Sequence, residues 1–237
     1  MIRLDRLIAE TGGLSRRQAG KAIRDGAVTV DGTVVIKPEY KLDENASVTL
    51  YGKPCSFQQN RYYMLDKPTG VITASADQHQ RTVLDLFPPE IRRGLFPVGR
   101  LDKDTSGLLL LTDDGDFAHR VISPRYDVEK VYRATVENAL SPEDPLRFCE
   151  GLRLADGTQC LPAELEILGD RECLVTVREG KYHQVRRMLA AVGKPVLTLR
   201  RLSVGPLLLD PGLEAGQYRE LTGMELCMMF KTLHMEK

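Results

Sequence analysis

The stretch Leu95-Phe96-Pro97-Val98-Gly99-Arg100-Leu101-Asp102-Lys103-Asp104-Thr105-Ser106-Gly107-Leu108-Leu109-Leu110-Leu111 lies near the middle of the chain. An apolar run opens it, a glycine-bounded polar loop follows, and four leucines close it. Short apolar runs between turn residues read as buried strands, so the loop is held between two anchored segments. Working outward, strand-like runs recur at Tyr62–Leu65, Val131–Val136, Leu161–Leu168, Leu174–Val177 and Val196–Leu199. Helices are expected at Phe117–Ile122, at Pro142–Glu150 behind Ser141 as cap, and at His183–Val192 closed by Gly193. Another follows Thr222, where Thr222-Gly223-Met224-Glu225 forms a capping box. The strands cluster without regular βαβ alternation, so the expected class is α+β, with a mixed, mostly antiparallel sheet and flanking helices.

The first fifty residues read as a separate small unit. Leu4, Leu7 and Ile8 form an i, i+3, i+4 apolar face, and Gly12-Gly13 ends that helix. Ser15-Arg16-Arg17-Gln18 is a capping box, Ala19, Ala22 and Ile23 follow on the buried side, and Gly26 stands where a left-handed cap belongs. Val28–Val30, the turn Asp31-Gly32 and Thr33–Ile36 make a hairpin, to which Val48–Tyr51 adds a strand. The expected domains are residues 1–56 and 62–237, with residues 57–61 as linker.

The chain has 237 residues, of which 42% are hydrophobic and 28% charged, which excludes a disordered or collagen-like chain. No run approaches the roughly 18 apolar residues of a membrane span, and the charged N-terminus is unlike a signal peptide, so a cytosolic location is expected. Five scattered cysteines and four histidines form no ligand-like cluster, and neither a metal nor a cofactor is expected.

Lys and Arg total 33, as do Asp and Glu, a balance that argues at first against a nucleic-acid partner. Along the chain, however, the charges are segregated. Residues 1–24 carry a net +4, residues 178–201 a net +6 and residues 137–172 a net −6. Arg17, Lys21 and Arg24 share one helix face, with Arg16 beside them and Arg3 and Arg6 on the helix before. A solvated face is the plain alternative to an RNA-binding one.

The loop Gly99–Gly107 surrounds a carboxylate with charged and hydroxyl-bearing neighbours, a setting for a positioned reactive group. As a Ca²⁺ loop it places Asp102, Asp104 and Ser106 at ligand positions. Leucines fill its second half, however, and the last position holds Asp113 in place of the longer Glu. A phosphotransfer site is contradicted by Asp104 between Lys103 and Thr105.

The order of motifs then carries a resemblance. The first fifty residues resemble the S4 RNA-binding module. Tyr62 to Gly70, Gly99-Arg100-Leu101-Asp102, Glu129-Lys130-Val131-Tyr132 and Gly180-Lys181-Tyr182-His183-Gln184-Val185-Arg186-Arg187-Met188 resemble the ordered motifs of the RsuA-type pseudouridine synthases. The resemblance implies isomerisation of a uridine in ribosomal RNA: the N1–C1′ bond is cleaved, the base turns, and C5 takes the place of N1. Asp102 matches the family's nucleophilic aspartate, Arg186 the basic residue that pairs with it, and Tyr132 the tyrosine set against the uracil. Lys67 and Gly70 would shape the pocket floor. Arg100, Lys181, His183 and Arg187 would contact RNA with the basic residues of the first unit.

The similarity is strongest to the small-subunit (16S) rRNA branch, although large-subunit enzymes share every motif. The implied partner is small-subunit rRNA, free or in an assembling particle, and a monomer is expected. A rival class, an inactive S4-bearing ribosome-associated factor, predicts a replaced aspartate, whereas Asp102, Tyr132 and Arg186 are all in place.

Overall fold

The computed structural model describes residues 2–43, 46–55 and 60–235, apart from the Glu10 side chain. The chain divides into two units, Met1–Gln59 and Asn60–Lys237. Of the expected linker, residues 57–59 lie outside the described residues. Arg61 is anchored to the second unit, where its backbone N–H and Nε donate to the Asp113 carboxylate at 2.7 and 2.8 Å.

The first unit contains β1 (Ile2–Arg3), α1 (Leu4–Gly12), α2 (Arg16–Arg24), β2 (Val28–Val30), β3 (Thr33–Val34), β4 (Lys41–Leu42), β5 (Val48–Leu50) and β6 (Lys53–Cys55). Its helices begin and end at their caps. Gly13 takes φ +62 after α1, and the Ser15 and Gln18 side chains close a capping box before α2. Asp31 and Gly32, both at positive φ, turn β2 into β3. The sheet runs β3-β2-β5-β6, and β1 pairs separately with β4. The second hairpin strand is shorter than expected, ending at Val34. Leu4, Ile8, Ile23 and Val28 are wholly buried between helices and sheet. Each contributes about 1.5–3 kcal/mol of hydrophobic stabilisation.

The second unit contains β7 (Tyr62–Lys67), α3 (Pro89–Arg92), β8 (Phe96–Pro97), β9 (Thr105–Thr112), α4 (Gly115–Ile122), β10 (Lys130–Val136), α5 (Asp144–Glu150), β11 (Glu164–Gly169), β12 (Glu172–Val177), α6 (Gln184–Ala191), β13 (Val196–Val204), β14 (Leu207–Leu208), β15 (Tyr218–Glu220) and α7 (Gly223–Thr232). Among the described residues the sheet runs β11-β12-β10-β13-β9-β7-β15, with β8 beside β9 and β14 beside β13. Its pairs are antiparallel except β9 with β13, so the sheet is mixed and mostly antiparallel. At that parallel contact Gly107 pairs with Arg201 at φ +102, where an added Cβ would fall 2.2 Å from the Arg201 carbonyl oxygen. Only glycine fits there.

Two of the boundaries that differ from the expectation have a local cause. The helix expected from Pro142 starts at Asp144, and Ser141 does not cap it: the Ser141 backbone N–H instead donates to the Asp144 carboxylate at 2.8 Å. Pro145 sits in its first turn, where no N–H is needed. The strand expected from Leu161 starts at Glu164, because Pro162 has no ladder donor and the Leu161 N–H goes to Glu179. Three apolar clusters fill the unit, and the one containing Leu65, Leu101 and Leu109 underlies the central loop.

Candidate active site

The loop between β8 and β9 is clasped from below by the end of β7 and the residues after it. Lys67 is fully buried, and its ammonium donates to the carbonyls of Pro68, Asp102 and Thr105 at 3.0, 3.0 and 2.9 Å. Burial pushes that ammonium down to about 8, with Asp102 and Asp104 acting in the opposite sense. The Gly70 N–H donates to the Lys103 carbonyl at 2.7 Å. The Thr73 hydroxyl donates to the Leu101 carbonyl at 2.6 Å and accepts the Leu101 N–H at 3.1 Å. The backbone on either side of Asp102 is therefore fixed, and its carboxylate projects into a cleft of about 1020 Å³ lined also by Arg100, Tyr132, His183, Arg186 and Arg201. A cleft of that size accepts a whole extruded nucleotide.

His183 faces the carboxylate. It precedes α6 in a left-handed conformation, φ +48, which turns its ring back so that Nε2 lies 3.2 Å from Asp102 Oδ1. Tyr182 is exposed and stacks on that ring, with centroids 3.9 Å apart. The pairing expected between Arg186 and Asp102 is not the one the structure holds. Arg186, inside the first turn of α6, reaches the far side of the loop and pairs with Asp104 at 3.0 Å. Its Nε is buried without a partner. Tyr132 lines the cleft from β10, and its hydroxyl accepts a hydrogen bond from Arg201 at 3.3 Å. Arg201 is buried and anchored by a 2.7 Å bond from its Nε to the Leu108 carbonyl.

Most of the cations in residues 178–201 are engaged in ion pairs within the protein. Arg178 is held by Asp127, Glu129 and Glu164, Lys181 by Glu179, Arg187 by Asp156 at 2.5 Å, Lys194 by Asp144 and Arg200 by Asp66. Asp144, Asp156 and Glu164 belong to the acidic stretch, so the opposite blocks neutralise each other. Lys181 and Arg187, expected to contact RNA, are partnered within the protein. Arg100 remains exposed at the cleft.

In the first unit the balance is different. Arg16, Arg17, Lys21 and Arg24 are exposed and hold no ion pair with the described residues. A groove of about 540 Å³ brings Arg16, Arg17 and Arg24 together with Arg3 and Lys37, Arg3 itself being paired to Asp5 at 2.7 Å. Arg6 is exposed on α1.

The residue-by-residue reading missed Thr73, Lys130 and Arg201. A period-two reading of β10 from Tyr132 would have found Lys130 on the same face. Nothing local marks Thr73, which meets Leu101 across the loop, or Arg201, which meets Leu108 on the neighbouring strand.

A carboxylate on a fixed loop in a nucleotide-sized cleft, with α2 cations unpaired among the described residues of a separate unit, fits the class of enzymes that act on a nucleic acid. A family model described as RNA pseudouridylate synthase matches residues 61–191, and an S4 domain model matches residues 2–48. The chain is 42% identical over 234 residues to the uncharacterized RNA pseudouridine synthase YtzG of Bacillus subtilis, covering 96% of this chain and 98% of that protein. It is 40% identical over 227 residues to the ribosomal small subunit pseudouridine synthase A of Escherichia coli K12, covering 95% and 98%. A crystal structure of a pseudouridylate synthase superposes with TM-score 0.70 at 38% identity, covering 97% of this chain and all of that one. The protein belongs to the RNA pseudouridylate synthase family and carries an S4 domain ahead of its catalytic unit.

Proposed function

We propose that this enzyme isomerises one uridine of small-subunit (16S) ribosomal RNA, free or in an assembling particle, acting in the cytosol as a monomer. The observation that carries the target is near-full-length identity of about 40% with relatives named for the small ribosomal subunit. Asp102 is the reacting carboxylate. Lys67, Gly70 and Thr73 hold its backbone, so little reorganisation is needed when the nucleotide arrives.

A uridine in folded RNA must leave its stack to be rearranged, at a cost of a few kcal/mol. Phosphate contacts from the first unit offset that cost without reading sequence. In the cleft, Asp102 either adds to C1′ or accepts a proton from the sugar, while the N1–C1′ electron pair leaves with the base. Tyr132 lies against the freed uracil. Arg186, released from Asp104 when RNA enters, supplies positive charge near the carboxylate.

The test is to map pseudouridine in rRNA from cells lacking this protein, complemented with wild type or Asp102→Asn. One small-subunit position should lose its pseudouridine, regain it with wild type and stay unmodified with the Asn variant. A change confined to large-subunit rRNA would move the target. Restoration by Asp102→Asn would remove Asp102 from its role.

A further inference from the structure

Lys130, the first residue of β10, is nine-tenths buried and lines the same cleft as Asp102 and Tyr132. Its ammonium makes no hydrogen bond or ion pair with any described residue. Asp127, the acid that acts on it from a distance, is itself held by Arg178 at 3.4 Å. The contrast with Lys67 is direct, since that lysine, fully buried, has three carbonyl acceptors. An ammonium that no described residue engages and that lines a cleft is available to a ligand entering it. Burial, with the neighbouring Arg201 cation acting in the same sense, pushes the Lys130 ammonium down to about 8, so it enters the reaction still mostly charged at neutral pH.

We propose that Lys130 is a further catalytic residue, whose ammonium donates a hydrogen bond to the uracil while the base is detached from the ribose and so stabilises the negative charge the base then carries. The proposal rests on the reading that this cleft isomerises uridine. Heterolysis of N1–C1′ leaves the electron pair on the uracil, delocalised over N1, O2 and O4. A carbonyl oxygen accepts the hydrogen bond, and Lys130 keeps its proton. When C5–C1′ forms, C5 loses a proton and N1 gains one, so the RNA keeps its composition.

Position favours the base over a phosphate. Lys130 and Tyr132 are i and i+2 on one strand, so their side chains share a face about 7 Å apart, one suited to the ring and the other to its edge. Val177 and Val204 flank Lys130 in the two neighbouring strands. Apolar walls suit a planar base, whereas a phosphate would lose its hydration there. Arg100, exposed at the cleft, suits the phosphate.

The experiment uses the full chain with wild type, Lys130→Met, Lys130→Gln and Lys130→Arg. It measures single-turnover conversion of a small-subunit rRNA transcript at saturating enzyme, equilibrium RNA binding at several salt concentrations, and thermal unfolding. Lys130→Met should convert RNA about 100-fold more slowly, the effect of losing one preorganised donor. It should bind RNA within threefold of wild type and unfold no earlier, because it loses no hydrogen bond to any described residue. Lys130→Arg should regain at least tenfold in rate.

A Lys130→Met rate within threefold of wild type overturns the proposal. So does weakened RNA binding with a shallower salt dependence and an unchanged saturated rate, which would mark a phosphate contact. Unfolding of both Lys130→Met and Lys130→Gln would assign the ammonium to the fold and overturn it as well. Wild type that makes no pseudouridine in any rRNA transcript sinks the uridine reading and the proposal together, whereas an active wild type with an undiminished Lys130→Met sinks the proposal alone.

Discussion

Lys67 and Lys130 are both enclosed beside one loop, yet replacing them has opposite consequences for stability. Lys67→Met leaves the carbonyls of Pro68, Asp102 and Thr105 without their donor. The expected loss is about 3 kcal/mol, read as a fall of about 6–12 °C in thermal midpoint, with activity falling as the Asp102 loop loosens. Lys130 has no acceptor to lose, and its pH dependence has a definite sign. Its ammonium faces Arg201 and Asp127 and sits near 8 in the folded protein against 10.5 unfolded. Between those values the unfolded chain binds more protons, so this group makes stability rise with pH. Denaturant unfolding from pH 8 to 10 should show a smaller rise in Lys130→Met than in wild type.

The carboxylate itself was legible in the sequence, because a polar loop between two strands is a local pattern. Its partner was not. Whether His183 or Arg186 meets Asp102 depends on the left-handed turn before α6, a matter of backbone direction that composition does not encode.

Among the elements, the two capping boxes were read correctly, whereas the cap at Ser141 and the extent of several strands were not. The capping boxes at Ser15 and Thr222 stand where their residues indicate. In the second, Arg219 grips Glu225 with two 2.8 Å bonds, and that guanidinium holds the Glu225 carboxyl down at about 2. A depressed acid contributes stability that is present above its unfolded value of 4.5 and lost as pH falls toward 2. Glu225→Gln should lower stability by about 1–2 kcal/mol at pH 7 and remove part of the acid-induced loss in that window, measured by denaturant unfolding.

Strand β13 runs through Arg200 and Arg201, beyond the apolar stretch that marks its start, because its ladders with β10 and β9 carry it on. The parallel contact at Gly107 has no local signature. Gly107→Ala should cost at least about 3 kcal/mol by driving a Cβ into the Arg201 backbone, and should also slow catalysis through Tyr132.

For the whole molecule, zero net charge conceals a division of labour. The basic block at 178–201 is largely spent on intramolecular pairs, several with the acidic stretch, while the α2 cations form no ion pair with the described residues. Electrostatic RNA affinity should therefore depend mainly on the first unit. Replacing Arg16, Arg17, Lys21 and Arg24 by Gln should reduce the slope of log K against log salt by about 3, at roughly 0.7 per contact with single-stranded RNA, whereas Arg187→Gln should leave it unchanged.

The sequence by itself determined the α+β class, the helices behind the capping boxes at Ser15 and Thr222, and the place of Asp102 in a loop between strands. Each of these depends on residues close together in the chain. The tertiary structure alone decided which cations are neutralised, which side chain faces Asp102, and that Lys67 is satisfied while Lys130 is not. Those outcomes turn on burial and on partners far away in the chain, and burial sets the energy of a charge only once the fold has placed its neighbours.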